Sequence, residues 1–482
     1  MKKLVSLLLA CAMLLAVSIS FADGIGTPDN PVVVTYLCKD VLPDEVDTAS
    51  VMEAVEAGMA AQGNYVDIVV LEAPAGKYID VVPLAFRTGE INPDIIYFQG
   101  NTDIPVVAEN LLLDLTDYVA NSTYVKKLMG GHSVARMANS PYLLWLAPAS
   151  VSVPAIRKDV AAKLTTFETL LADPTVDNYY NFFKEIKDSG AAVYAVGGDG
   201  STGRLDSYFN HAFGVTSTIM KGEDGKYNYY YISDAEKAKL QFYAKLYAEG
   251  LLDPDYITMT WDTLEQSFYE GETATICGRA GDVVQVYDVK VQSLFGEDGA
   301  LVCMPPAKGV SQAYKSVDVT KEERGFGINA TASKEVQDAA FAIFEFMASP
   351  EGRKIDLLGA EGVHYNVEDG TVVYTPAWDA YWARWFPTTE GLPEDIKLAK
   401  PVMTEAATES LALAAKYYAD DINVAVPDEL QPLYAAVVSV YNEYSSDFIR
   451  GVRSFDDWDE FVAKYNEVGG AQLSEYFGTV LP

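Results

Sequence analysis

A chain of 482 residues is too long for one ordinary core and asks for two or three lobes, and its 49% apolar residues can fill them. The 69 acidic against 35 basic side chains leave a formal charge of -34 spread along the sequence. Such a surface repels phosphate backbones and anionic lipid heads, which argues against nucleic acid as a partner and for an ordered, soluble protein.

The first segment, residues 1–22, reads as a secretory signal: Lys2 and Lys3, an apolar run from Leu4 to Ile19, then Ser20 and Ala22 before the cut. Cys11 imitates a lipoprotein cysteine, but cleavage there leaves an apolar stub, so the mature chain is expected to start at Asp23 without lipid. Strand and helix signals then alternate. "VVVTYL" (32–37), "YVDIVVL" and "DIIYF" (94–98) are strand-like, and Val51, Met52, Val55 and Met59 form one helical stripe. That alternation predicts an α/β protein with mostly parallel sheets. Cys38, Cys277 and Cys303 have no metal-ligand spacing and are read as buried free thiols.

Further along, Ser233 with Glu236 and Asp262 with Glu265 look like helix-opening boxes, closed by Gly250 and Gly271. Ser333 and Ser349 open two more helices, and Gly359 ends the second. "VHYNV" and "TVVYT" around "EDG" predict a β-hairpin with Asp369-Gly370 at its tip. His364 and Tyr365 then point to opposite faces, which is poor geometry for a Glu361–His364 catalytic pair.

Seven motifs in order carry a resemblance: "PAIRKDV", "YAEGLLDPDY", "FYEGETATIC", "MPPAKG", "SKEVQDAAFAIFEFMASPEGRKID", "GAEGVHYNVEDG" and "FDDWDEFVAKYNEVGG". Together they resemble the extracellular solute-binding proteins of ABC importers, in the carbohydrate-type, LplA-like group, which is similar to the alginate-oligosaccharide-binding proteins. The resemblance implies a two-lobed type II periplasmic-binding fold with a hinge and a ligand cleft. It places crossings near Ala149–Pro154, Gly325–Asn329 and Val372–Pro376. Lobe 1 would take residues 30–149 and 325–372, and lobe 2 residues 150–324 and 373–482.

Two lines of reasoning pick candidate ligand contacts. Open α/β sheets bind ligands outside the carboxyl ends of their strands, which selects Lys39, Asp40, Gln99 and Arg279. Glu361 and Tyr365 join them because their motif precedes the third expected crossing. In "WDAYWARWFP" (378–387), Trp378 and Trp382, and Tyr381 and Trp385, fall one helical turn apart, where flat aromatics can stack on the C–H faces of sugars. Trp261 has a similar claim, whereas Trp458 shares a stripe with Phe461, Val462 and Tyr465 and is core. "GGDGSTGRL" lacks the lysine and hydroxyl of a phosphate loop, so it reads as a rim loop with Arg204 available to a ligand. No metal site is expected from His132, His211 and His364, and no cofactor.

The expected function is therefore capture of an oligosaccharide for import, by lobe closure and without catalysis, in a monomer that hands its ligand to permease subunits. A uronide chain would need Arg204, Arg279 and Arg384 against the protein's own field. The alternatives are a secreted glycoside hydrolase or polysaccharide lyase, which needs a placed carboxylate pair, and a peptide-binding or sensory protein of the same fold.

Overall fold

The computed structural model describes residues 24–99, 102–129, 134, 137–138, 140–146, 151–318, 324–381, 385, 392, 396–424 and 426–482. The signal segment, His132, Trp382 and Arg384 lie outside them. The chain divides into two compact units, Met1–Ala149 with Val319–Val402, and Ser150–Asp318 with Met403–Pro482.

In the first unit, strands β1 (Val32–Leu37), β2 (Val66–Val70) and β3 (Ile95–Gln99) run parallel. Their β-branched residues fill the pleat: Val34 and Tyr36 are fully buried, and Thr35 is tied by its hydroxyl to Asp94 at 2.6 Å. The predicted stripe of helix Val46–Ala61 is buried as Val51, Met52, Val55 and Met59 against this sheet's core.

The second unit departs from expectation. Strand β4 (Ser152–Arg157) is followed by a hairpin of β5 (Ile219–Lys221) and β6 (Tyr227–Tyr229), then by β7 (Thr275–Arg279) and β8 (Leu301–Cys303). The sheet order is β7-β4-β8, and β4 is antiparallel to both neighbours. Thus β7 and β8 are parallel to each other and joined by the crossover helix Asp282–Phe295, while β4 inserts between them in the opposite direction. Local patterning shows a strand's existence, but not its direction.

The chain returns to the first unit with β9 (Arg324–Ile328), antiparallel to β3, giving sheet order β2-β1-β3-β9. Helices Lys334–Ala348 and Pro350–Leu358 follow, capped by Ser333 and Ser349 as their sequence predicts. Gly359 has φ of 78°, the left-handed conformation that ends a helix without a Cβ penalty. The hairpin of β10 (Tyr365–Glu368) and β11 (Thr371–Tyr374) turns on Asp369 and Gly370 at φ of 49° and 77°, the primed turn that Asp-Gly favours.

The expected third crossing at residues 372–376 is corrected by this region. Strand β11 pairs with β12 (Lys397–Leu398), and Tyr381 bonds Asp356, so the chain stays in the first unit until Val402. A second correction concerns the helix at "WDTLEQSFYE". Its cap is Thr260, which accepts from Thr263 N–H at 3.3 Å while Thr263 takes the Thr260 N–H at 2.8 Å, so the Asp262–Glu265 box is not formed. At Ser233 the expected cap is present, but the Glu236 side chain turns inward instead of reaching back.

That inward turn builds a buried charge cluster joining helices Gly203–Phe213, Asp234–Ala248 and Gln431–Ile449. Lys239 Nζ lies 2.8 Å from Asp206 and 2.7 Å from Asn210 Oδ1. It also sits 2.9 Å from Glu236 Oε2, in contact but off the axis of a good hydrogen bond. Tyr243 and Tyr441 donate to Asp206 and Glu236, and Lys315 reaches Asp206 at 3.7 Å from the half-exposed rim. Burial raises both carboxyls. At Asp206 the ammoniums of Lys239 and Lys315 outweigh it and hold the group low, whereas Glu236, repelled by Asp206, stays high.

Candidate functional site

At the carboxyl ends of the first unit's parallel strands, β1 runs out into Lys39 and Asp40. Asp40 takes a left-handed φ of 60°, and the two side chains form an exposed ion pair at 3.6 Å. Gln99 ends β3 and faces Arg324 in register. Between them stands an aromatic group absent from the sequence reading. The half-buried Tyr97 ring lies 6.3 Å from Trp145, 6.3 Å from Tyr78 and 5.2 Å from Phe326. Arg324 sits over the Trp145 indole at 5.6 Å. Trp145 stands shortly before one change of unit and Arg324 shortly after the next, so the adjacency argument applied to Glu361 and Tyr365 could have found them.

Other candidates of this unit fall elsewhere. Tyr365 is 2% exposed, packed with Leu358 and Val372 and with Lys354 Nζ 5.5 Å from its ring, so its expected ligand contact is corrected to core. It begins a strand whose neighbour, β11, closes over it. Glu361 is exposed, joined to Tyr365 by a backbone bridge. His364 is fully buried, accepting from Ala360 N–H at 2.9 Å and meeting Asp47 at 3.1 Å, so its acidic neighbour is Asp47 and not Glu361.

The aromatic run is not a continuous helix. A short 3-10 turn, Pro376–Ala380, ends in extended backbone at Tyr381, which breaks the one-turn spacing. Trp378 forms a patch of its own, 4.2 Å from the Tyr374 ring with Lys400 5.5 Å from both. Trp385 is 0% exposed in the core, its Nε1–H donated to Tyr381 at 2.9 Å, so the expectation that it stacks on ligand is corrected.

In the second unit the structure brings Arg204 and Trp261 together. "GGDGSTG" delivers Arg204 into the first turn of helix Gly203–Phe213, and the Thr260 cap places Trp261 at the first position of its helix. The Arg204 guanidinium lies 4.0 Å over the indole. Its Nε and Nη2 donate to Asp199 at 3.0 and 2.6 Å, and its Nη1 to the Cys277 carbonyl at 2.9 Å. Tyr287 stands 6.0 Å from Trp261. Glu265 stands beside both, and burial leads a set of influences that raise its carboxyl. Arg279, at the end of β7, is paired with Asp282 and is not part of the indole cluster.

Trp261 is half-buried, so a face of defined orientation meets solvent beside hydroxyl and carboxylate groups. That combination suits a ring with apolar C–H faces and an equatorial belt of hydroxyls. Among the described residues, no group of three or more His, Cys, Asp or Glu is placed to hold a metal ion. His211 is instead hydrogen-bonded to Ser311 and Ser316 at 3.0 and 2.9 Å.

Comparison with known proteins agrees with this organisation. Residues 43–354, more than half of the chain, match the family model of bacterial extracellular solute-binding proteins. The chain belongs to that family. Solved structures share its fold over nearly their whole length. The alginate-binding protein AlgQ2 is 17% identical, with 94% of this chain and 98% of that one covered at a TM-score of 0.62. The N-glycan transport solute-binding protein of Streptococcus pneumoniae is 16% identical, covering 92% and 96% at 0.66. A solute-binding protein from Bifidobacterium longum infantis, described as HMO-binding, is 14% identical, covering 92% and 97% at 0.64. The fold is thus the type II periplasmic-binding fold. No curated protein sequence matches the chain.

Proposed function

We propose that this protein captures an oligosaccharide for an ABC importer, binding it unchanged and passing it to permease subunits at the membrane. The Arg204–Trp261 stack carries the reading: an indole held flat under a guanidinium, with part of its surface open to solvent, offers a platform on which a sugar ring can pack. Tyr97 with Trp145 offers a second aromatic surface at the strand ends of the other unit. An enzyme of this size acting on glycans would need two carboxyls held at a set distance across the bond, whereas Glu265 lies against the aromatic pair Trp261 and Tyr287. The extracellular character of the family supports a mature chain that works outside the cytoplasm once its amino-terminal signal is removed, and we take it to act as a monomer.

A thermal-shift screen over short oligosaccharides identifies a ligand, because binding to the native state alone raises the melting temperature. Trp261→Ala is then expected to weaken that ligand by about 1–3 kcal/mol, roughly 5- to 150-fold, in calorimetry. Mass spectrometry after long incubation should return the ligand intact. Unchanged affinity in Trp261→Ala removes the platform, and steady turnover lost with one carboxylate hands the protein to the enzyme reading.

A further inference from the structure

A cation beside an aromatic ring can serve a ligand in two ways. It can present its charge to an anion, or it can spend that charge internally and hold the ring in place. The second unit's stack separates these cases by its hydrogen bonds. Arg204 has three nitrogens, and each already donates within the protein: Nε and Nη2 to one oxygen of Asp199, Nη1 to the backbone of Cys277. Both partners of the ion pair are mostly covered, with side chains 15% and 20% exposed. The guanidinium plane meanwhile rests on the indole at 4.0 Å.

The surrounding charges point the same way. Among the described residues, Asp199, Asp262 and Glu265 stand around this pair, against Arg204 as its cation. Arg279 is matched by Asp282. A carboxylate on the ligand would find only the remaining N–H of Nη1 and of Nη2, next to the Asp199 carboxylate already paired there, and would face two further acids within a chain of charge -34. Sugar hydroxyls suffer no such conflict, since each can donate to a carboxylate oxygen while its ring packs on the indole.

We infer that Arg204 is a positioning residue that backs the Trp261 platform, and that the sugar seated on this platform is uncharged. The inference rests on the oligosaccharide reading and narrows it to neutral glycans, with uronides excluded at this cluster.

Calorimetry on the full mature chain tests it with three oligomers of equal length: a neutral glucoside, a uronide and a free-amine glucosaminide, each at low salt and at roughly 0.5 M salt, where exposed charge attraction is screened. The neutral oligomer is expected to bind with nearly salt-independent affinity, and the uronide at least about tenfold more weakly. Arg204→Lys keeps the charge but loses the flat fork, so neutral affinity should fall about 5- to 30-fold. The double variant Arg204→Lys/Trp261→Ala should lose no more than Trp261→Ala alone, because both act through one ring. If Arg204→Lys does not fold, Asp199→Asn, which loosens the same pair, takes its place in the cycle. Tighter uronide binding that salt weakens and Arg204→Gln abolishes would make Arg204 an anion receptor and overturn the inference. Tighter binding of the amine form, or fully additive losses in the cycle, overturns it as well. If the neutral oligomer binds as wild type in Arg204→Lys, the inference fails while the oligosaccharide reading survives. Binding of none of the three, with none found by the wider screen, defeats that reading itself.

Discussion

Lys239→Ala is expected to cost about 3–5 kcal/mol of stability in the unit formed by Ser150–Asp318 and Met403–Pro482, measured by denaturant unfolding. The side chain is 0% exposed and lies between Asp206 and Glu236, both also buried. Removing one ammonium leaves two carboxylates with only the half-exposed Lys315 opposite them, and no solvent to replace the lost partner. Replacing the whole cluster by neutral groups of similar volume, as Asp206→Asn, Glu236→Gln and Lys239→Met together, should recover much of that loss. The asymmetry follows from desolvation, which is already spent on every charge in the cluster. Asp206 also sets a pH dependence. Its folded carboxyl lies below the ordinary 3.8, so its contribution is present above that pH and is lost as pH falls through the lower folded value. A loss under about 1 kcal/mol in Lys239→Ala would mean that water enters the cluster.

Trp385→Ala should have an effect of similar size on the other unit and none on the ligand. Deleting a fully buried indole costs about 3–5 kcal/mol through lost transfer energy and the cavity left behind. The indole's hydrogen bond goes too, and with it a relay: Trp385 donates to the Tyr381 hydroxyl, which donates to the Asp356 carbonyl at 2.5 Å. The Tyr36 hydroxyl in β1 donates to the Trp385 carbonyl, also at 2.5 Å, so residue 385 is pinned to the central sheet. Differential scanning calorimetry should show a steep fall in melting temperature. Isothermal titration below that melting point should show wild-type affinity. Weakened binding with an intact melting temperature would return Trp385 to the ligand.

The contrast between Trp261 and Trp385 shows how far a sequence can be read. Stripes, caps and the Asp369-Gly370 turn are local, and the helix at Val46–Ala61 and the β10–β11 hairpin formed where their residues indicated. Whether an aromatic faces solvent depends on partners tens to hundreds of positions away. Trp385 is held through Tyr36, and Arg204 reaches the carbonyl of Cys277. Nothing periodic encodes either contact. The same holds for β4, whose direction is set by two strands more than a hundred residues downstream. Trp145 and Arg324 escaped notice for a different reason. Neither lies in an amphipathic pattern, and they meet because β9 pairs with β3 while Leu144 bridges Phe326, which sets Trp145 beside Tyr97 and under Arg324.

The three cysteines of the described chain have a practical consequence. Cys38, Cys277 and Cys303 are all buried and in no disulfide, and burial pushes the Cys277 thiol up to about 12 and raises Cys303 as well. Thiols of that kind hold almost no thiolate at neutral pH and react slowly with maleimides. A single cysteine introduced on the surface, at the exposed Asp262 beside Trp261 for instance, would therefore carry a fluorophore with little background and without first deleting the native thiols. The molecule comes ready to be turned into an optical reporter of its own ligand.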